Sequence, residues 1–258
     1  MFYMYLIIFF IFGLFFGSFY TVVGLRLPKK ENFITNRSYC DTCYHELSLL
    51  DMIPIASYFL LGKKCRYCQE KIDGLSTSME FFTGVLFALS YAVFGFSLEL
   101  WIALGIVSML AIVSVSDMSY MIIPDEVLIF FAGYFLILMA LRFGVLESLF
   151  HILYGLFLFG IMYLIMLLGN FLFKKESLGG GDIKMMFVFG TVLHPLLGLI
   201  SIFLGSLLAL PVSFFLLKKN RLSIIPFGPF LLISFAFLYF TKLDASMIIH
   251  FIQVLSII

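Results

Sequence analysis

The strongest constraint on this chain is a succession of apolar runs, each near the length needed to cross a bilayer and almost free of charge. The first covers residues 2–25. Others run at about 79–96, 98–116, 125–141, 149–173, 183–193, 195–217 and 225–241. A hydrocarbon core takes about 20 helical residues to cross, and inside it only helices and closed barrels satisfy their own backbone. Hydrophobic residues make up 63% of the chain and charged residues 12%, against roughly 25% charged in an ordinary soluble domain. The expected fold class is therefore all-α and polytopic, with about eight transmembrane helices. The piece at 245–258 is too short to count as a further span. The first run starts at Phe2 with no basic leader before it, so it reads as a span rather than a cleaved signal.

Orientation follows from the lysines and arginines. With the N-terminus outside, inner loops hold Arg26, Lys29, Lys30, Arg37, Lys63, Lys64, Arg66 and Lys71. They also hold Lys174, Lys175, Lys184, Lys218, Lys219 and Arg221, leaving only Arg142 and Lys242 outside. Basic residues concentrate on the cytoplasmic side, so the opposite orientation is rejected. The net charge of +1 gives no reason to expect a nucleic-acid partner. Residues 1–25 are then a first helix, 26–78 a cytoplasmic segment and 79–258 the remaining membrane domain.

All four cysteines lie in that segment, as Cys40-Asp-Thr-Cys43 and Cys65-Arg-Tyr-Cys68. Two CxxC pairs supply a tetrahedral set of four thiolates suited to zinc, with a spacing just beyond the usual one for this pattern. Two disulfides are the alternative, and a reducing cytoplasm disfavours them. With every ligand supplied by protein, such a site is closed and structural.

Acidic residues near the membrane are few. Asp117 closes the 98–116 run and Asp182 opens the run at 183, so both fall at cytoplasmic helix ends and can share a depth. An ionisable group there is a functional candidate by default. Two carboxylates sharing a proton can activate water and protonate a leaving group. Asp182 follows three glycines in LGGGDIKMMF (178–187), which permit close backbone approach and positive φ. Asp125, just after Pro124, reads as a helix N-cap or a solvated rim residue. Glu80 is either a partner for loop cations or a substrate contact. Glu99, Glu147 and Asp244 read as solvated outer charges. No HExxH or GxSxG occurs, and His151 and His194 lie near the outer face, away from the aspartates.

These blocks resemble those of the bacterial type IV prepilin peptidases, membrane aspartyl proteases with a GxGD motif. GSFYTVVGLRLP (17–28) is similar to the end of the family's first helix, and residues 36–68 resemble its zinc-binding segment. SDMSYMIIPDEV (116–127) is similar to the block bearing one catalytic aspartate, which falls on Asp117. GGGDIKMM (179–186) bears the second, on Asp182, and IPFGPFL (225–231) resembles the closing helix. Asp41 stands where members often have proline. The resemblance implies a plasma-membrane enzyme that removes the basic leader of prepilins or pseudopilins on the cytoplasmic side. The cut falls after a glycine, ahead of a hydrophobic helix. It also implies zinc and, in many members, N-methylation of the new terminus with S-adenosylmethionine. Cleavage without methylation stays open, as do the pilus, DNA-uptake and secretion roles. The contrasting classes are an ion-coupled transporter with a glycine-broken helix and a zinc-bearing scaffold; a transporter would hold its carboxylates in mid-helix.

Overall fold

The computed structural model describes residues 1–35, 37–40, 42–175, 178–218, 225–243 and Met247. Asp41, Lys219, Arg221, Asp244 and the 245–258 piece lie outside them, apart from Met247. Among the described residues the chain is all helical, with two isolated antiparallel bridges and no strand. The helices are α1 (Phe2–Arg26), a five-residue α2 (Ala56–Leu60), α3 (Leu75–Phe94), α4 (Leu98–Tyr120), α5 (Asp125–Phe143), α6 (Val145–Phe173), α7 (Gly180–Val192), α8 (Pro195–Lys218) and α9 (Gly228–Phe240). Six are long and apolar enough to cross a membrane: α1, α3, α4, α5, α6 and α8. Each of the eight expected runs is a helix, but α7 and α9 have 13 residues each. At 1.5 Å per residue that is about 20 Å, short of a ~30 Å core.

Helix boundaries differ from the expected ones in a way that matters. α3 starts at Leu75 rather than 79, and α6 at Val145 rather than 149. α4 continues through Asp117 to Tyr120, and α7 begins at Gly180, so both aspartates lie within helices. Hydropathy marks where apolar residues stop, while hydrogen bonding continues to the cap, here the left-handed Met121 whose amide bonds the Asp117 carbonyl.

α4 is the centre of the bundle, buried along nearly its whole length and packed by α1, α3, α5 and α9. Lipid tails are as apolar as leucine, so helices in a membrane associate through close packing of small residues. A Cβ on Gly13 would stand 2.7 Å from the Gly84 Cα, and one on Gly190 would stand 2.5 Å from the Gly155 Cα. α1 thus seats on α3, and α6 on α7. Phe189 and Phe235 stack at 4.2 Å, joining α7 to α9.

The bundle has two distinct ends. Gly24 of α1 meets Ile112 and Val115 of α4, so these helices run parallel and segment 27–74 lies at the end that carries Asp117. At the other end Arg142 pairs with Glu99 at 2.7 Å. Lys242 donates there to the Val93 carbonyl, and a cavity brings in His194. Glu99, expected as a solvated outer charge, is a partly exposed ion-pair partner. Glu147 is exposed in the first turn of α6.

Candidate active site and metal centre

Residues 116–124 make a tight reversal. The Ser116 hydroxyl donates to the Ile122 carbonyl, Met121 closes α4, and Pro124 caps α5 in extended geometry. The reversal turns Ile123 inward. A Cβ on Gly181 would fall 2.8 Å from the Ile123 Cβ, and one on Gly228 would fall 3.2 Å from its Cδ1. Ile123 therefore sits between two glycine-bearing helix starts, those of α7 and α9, each beside an aspartate.

Asp117 and Asp182 are both buried. The Gly228 amide, at the start of α9, donates to Asp117 Oδ2 at 3.0 Å. The first amides of a helix have no partner inside it and seek anions. A Cβ on Gly228 would come within 3.0 Å of the same oxygen, so glycine permits this approach. Asp182 lies in the first turn of α7, and its Oδ1 has no hydrogen-bond partner among the described residues. Its Oδ2 would be 3.2 Å from a Cβ on Gly179. Both aspartates therefore flank Ile123: Gly181, next to Asp182, packs on its Cβ, and Gly228, whose amide holds Asp117, packs on its Cδ1.

The glycine triplet does not use positive φ; among the described glycines only Gly62, Gly95 and Gly144 do. Gly179 and Gly181 answer close neighbours, whereas a Cβ on Gly180 would meet nothing within 4 Å.

Asp125 is not an N-cap. It is the first residue of α5, and its carboxylate takes both Lys184 contacts, at 2.8 and 2.7 Å. The ion pair ties α5 to α7, two residues from Asp182. Glu80 is buried and accepts the Ile55 amide at 2.8 Å and the Ser76 hydroxyl at 3.2 Å. It therefore fastens the loop backbone to α3 rather than pairing with a loop cation.

The four cysteines converge, with all Sγ atoms within 4.8 Å of one another and Cys40 and Cys68 at 3.8 Å. A tetrahedral zinc with Zn–S near 2.3 Å needs sulfurs about 3.8 Å apart. The thiols are free, not bridged. Both halves repeat one fold. The Cys40 amide bonds the His45 carbonyl and Tyr44 bonds back to Cys40; Cys65 bonds Glu70, and Gln69 bonds back to Cys65. Tyr44 and Gln69 both take left-handed φ, 57° and 59°. Bridges Tyr39–Glu46 and Lys64–Lys71 close the loops. Amides of Cys43 and then Thr42 aim at the Cys40 sulfur and pull its thiol down to about 7, toward the thiolate that metals bind. The spacing announced the cluster; the repeated turn carried no residue-type signal, because neither Tyr44 nor Gln69 is a usual left-handed residue.

Residues 11–94 match the Bacterial Peptidase A24 N-terminal domain, and residues 104–214 match the Type IV leader peptidase family. A Bacillus subtilis protein called prepilin leader peptidase/N-methyltransferase is 37% identical over 72% of this chain and 73% of its own length. The chain belongs to the type IV leader peptidase family. A like-named Vibrio cholerae protein is 32% identical over 93% of this chain and 98% of its own. The one from Pseudomonas aeruginosa is 30% identical over 86% and 85%. No solved structure matches. The first family match takes in the cysteine cluster, and the second takes in Asp117 and Asp182 but stops short of Gly228.

Proposed function

We propose that this leader peptidase cuts prepilin-like proteins at the membrane boundary by an aspartyl mechanism, with Asp117 and Asp182 as the catalytic pair. The observation that carries the reading is the placement of two buried carboxylates, from separate blocks, around Ile123 at one end of the bundle. One carboxylate takes a proton from water, which attacks the scissile carbonyl. The other, protonated, gives its proton to the departing amine, so the pair ends the cycle with the proton exchanged between them. The Gly228 amide orients Asp117 and leaves its Oδ1 for water. Both aspartates sit within a turn of a helix end, where a boundary peptide can reach, unlike the mid-helix carboxylates of an ion carrier. The basic-residue bias makes this end cytoplasmic, in a bacterial plasma membrane.

Cys40, Cys43, Cys65 and Cys68 fit a closed structural zinc site, which would hold the two loops together and take no part in the reaction. The relatives' names support a second activity, N-methylation of the new terminus with S-adenosylmethionine. The cavity of about 770 Å³ between α1, α4 and α5 has the volume for that donor. Its walls offer only Tyr20, Trp101, Ser108, Glu126 and Tyr134 as polar groups. That is a poor fit to a zwitterion with ribose hydroxyls, and no methyl-transfer step is assigned there.

The test is cleavage of a synthetic prepilin-like peptide by the purified protein in detergent. Asp117→Asn and Asp182→Asn should each lower the rate by about 10²–10⁴-fold. Neither should lower thermal stability, because asparagine matches aspartate in size and at 117 keeps an oxygen to accept the Gly228 amide. Normal cleavage by both variants rejects the pair.

A further inference from the structure

Segment 49–60, between the two cysteine loops, exposes apolar side chains that no crossing helix explains. Leu49 is 83% exposed, Leu60 84%, Leu50 65% and Phe59 61%. Patches of this kind on a water-facing surface mark a contact. The segment also has a fixed depth. α3 has 20 residues, about 30 Å of helix, so its first residue lies at one face of a ~30 Å hydrocarbon core. Glu80 lies about 7.5 Å further in, five residues along α3, and its carboxylate holds the Ile55 amide. The Tyr58 hydroxyl lies 3.2 Å from the Cβ position of Gly74, just before α3. Residues 55–58 are thus moored at the level of the first turn of α3. Pro54 is buried and Ile55, Ser57 and Tyr58 are half-buried, while Leu49, Leu50, Phe59 and Leu60 are left outward.

Cations stand at the same level. Lys63 reaches within 5.9 Å of both the Tyr58 and Phe59 rings. Among the described residues, neither Lys63 nor the exposed Lys64 has an acidic partner. Apolar residues beside lysines at the headgroup level are the chemistry of an interfacial anchor. We propose that residues 49–64 lie on the bilayer as a membrane-binding lip. Leu49, Leu50, Phe59 and Leu60 enter the acyl boundary, and Lys63 and Lys64 rest on anionic headgroups. The metal segment then lies flat against the membrane beside the aspartates instead of projecting into water.

The test uses tryptophan as a depth probe, since the chain has one native tryptophan. In a Trp101→Phe background, L60W and L50W are reconstituted into phosphatidylcholine vesicles containing phosphatidylglycerol, with acyl chains brominated near the headgroup. F171W, on the exposed face of α6, is the lipid reference, and E70W is the water reference. L60W should lose roughly half or more of the emission that F171W loses, as expected 5–10 Å into the interface. It should also resist aqueous acrylamide better than E70W. A probe open to acrylamide and blind to bromolipid overturns the lip. A probe shielded from both is covered by protein, a second copy or another partner, and overturns it equally. Quenching that is unchanged without phosphatidylglycerol overturns the lysine contact. Should L60W fail to fold, as judged by loss of its cooperative thermal transition in detergent, L50W carries the same readout. Peptide cleavage plays no part in the measurement, so the result stands apart from the catalytic reading.

Discussion

Alanine at each position of the 179–181 triplet should separate packing from catalysis. At Gly181 a Cβ would stand 2.8 Å from the Ile123 Cβ and 3.2 Å from its Cγ1 and Cδ1. Both ends of the shortest contact are fixed to backbone, so relief requires the 116–124 reversal to move against α7. Overpacking of that kind costs about 1–3 kcal/mol, offset by the ~0.5–1 kcal/mol that alanine gains over glycine in a helix. Gly181→Ala should therefore unfold earlier in detergent, by up to about 2 kcal/mol. Adding Ile123→Ala should recover part of the loss, with a coupling of about 0.5–3 kcal/mol.

Gly180 has the opposite signature. It is exposed and meets nothing within 4 Å, so Gly180→Ala should hold or raise stability. The free space lies two residues before Asp182, where a substrate backbone would approach. A methyl there displaces that backbone, and a misplacement of about 1 Å can cost about 10²-fold in rate. The expected pair is a stable Gly180→Ala with kcat/KM down about 10²-fold, and a destabilised Gly181→Ala. Unfolding followed by tryptophan emission and cleavage followed by mass spectrometry read the two quantities separately. A Gly180→Ala that cleaves at the wild-type rate refutes a substrate path over the start of α7. A Gly181→Ala whose stability shows no coupling to Ile123→Ala refutes the Ile123 packing argument.

Asp125→Asn should keep most activity: its pair with Lys184 is about half exposed on both sides, and such pairs are worth about 0.2–1 kcal/mol, so peptide cleavage should fall by less than about fivefold. Elemental analysis of the purified protein should find about one zinc per chain. Cys40→Ser with Cys65→Ser should lose it and open residues 37–72 to protease. Glu80→Ala strands the Ile55 amide and should cost about 1–3 kcal/mol, appearing as proteolysis between 49 and 64; Glu80→Gln keeps an acceptor and should resist.

What the sequence made legible divides along a physical line. Charge is costly at membrane depth, so Asp117 and Asp182 stand out in the sequence alone, and four cysteines in two CxxC pairs announce their own convergence. The roles of Asp125 and Glu80 could not be read the same way, because each depends on a partner supplied by packing. Lys184 is 59 residues from Asp125, and the Ile55 amide is a backbone group that any residue would provide. A proline followed by an aspartate before an apolar run looks like a cap whether or not a cation waits on the next helix. Helix lengths fail for a related reason. Hydropathy reports that α7 and α9 are apolar, but α7 is sheltered by α5 and α6 and α9 by α4 and α8, so they need not span the core alone.

Gly228 is the most instructive omission. In IPFGPFL it reads as one small residue before a proline, with no charge or metal ligand to draw attention. Its function is geometric: lacking a Cβ, it brings the first free amide of α9 to within 3.0 Å of Asp117 Oδ2. A glycine contributes there through what it lacks, and that absence has meaning only once the neighbouring carboxylate is in place. Of the five blocks that resembled the family, the first and the closing helix carried no catalytic or metal-binding group, and for the closing helix the amide it presents to Asp117 supplies the justification.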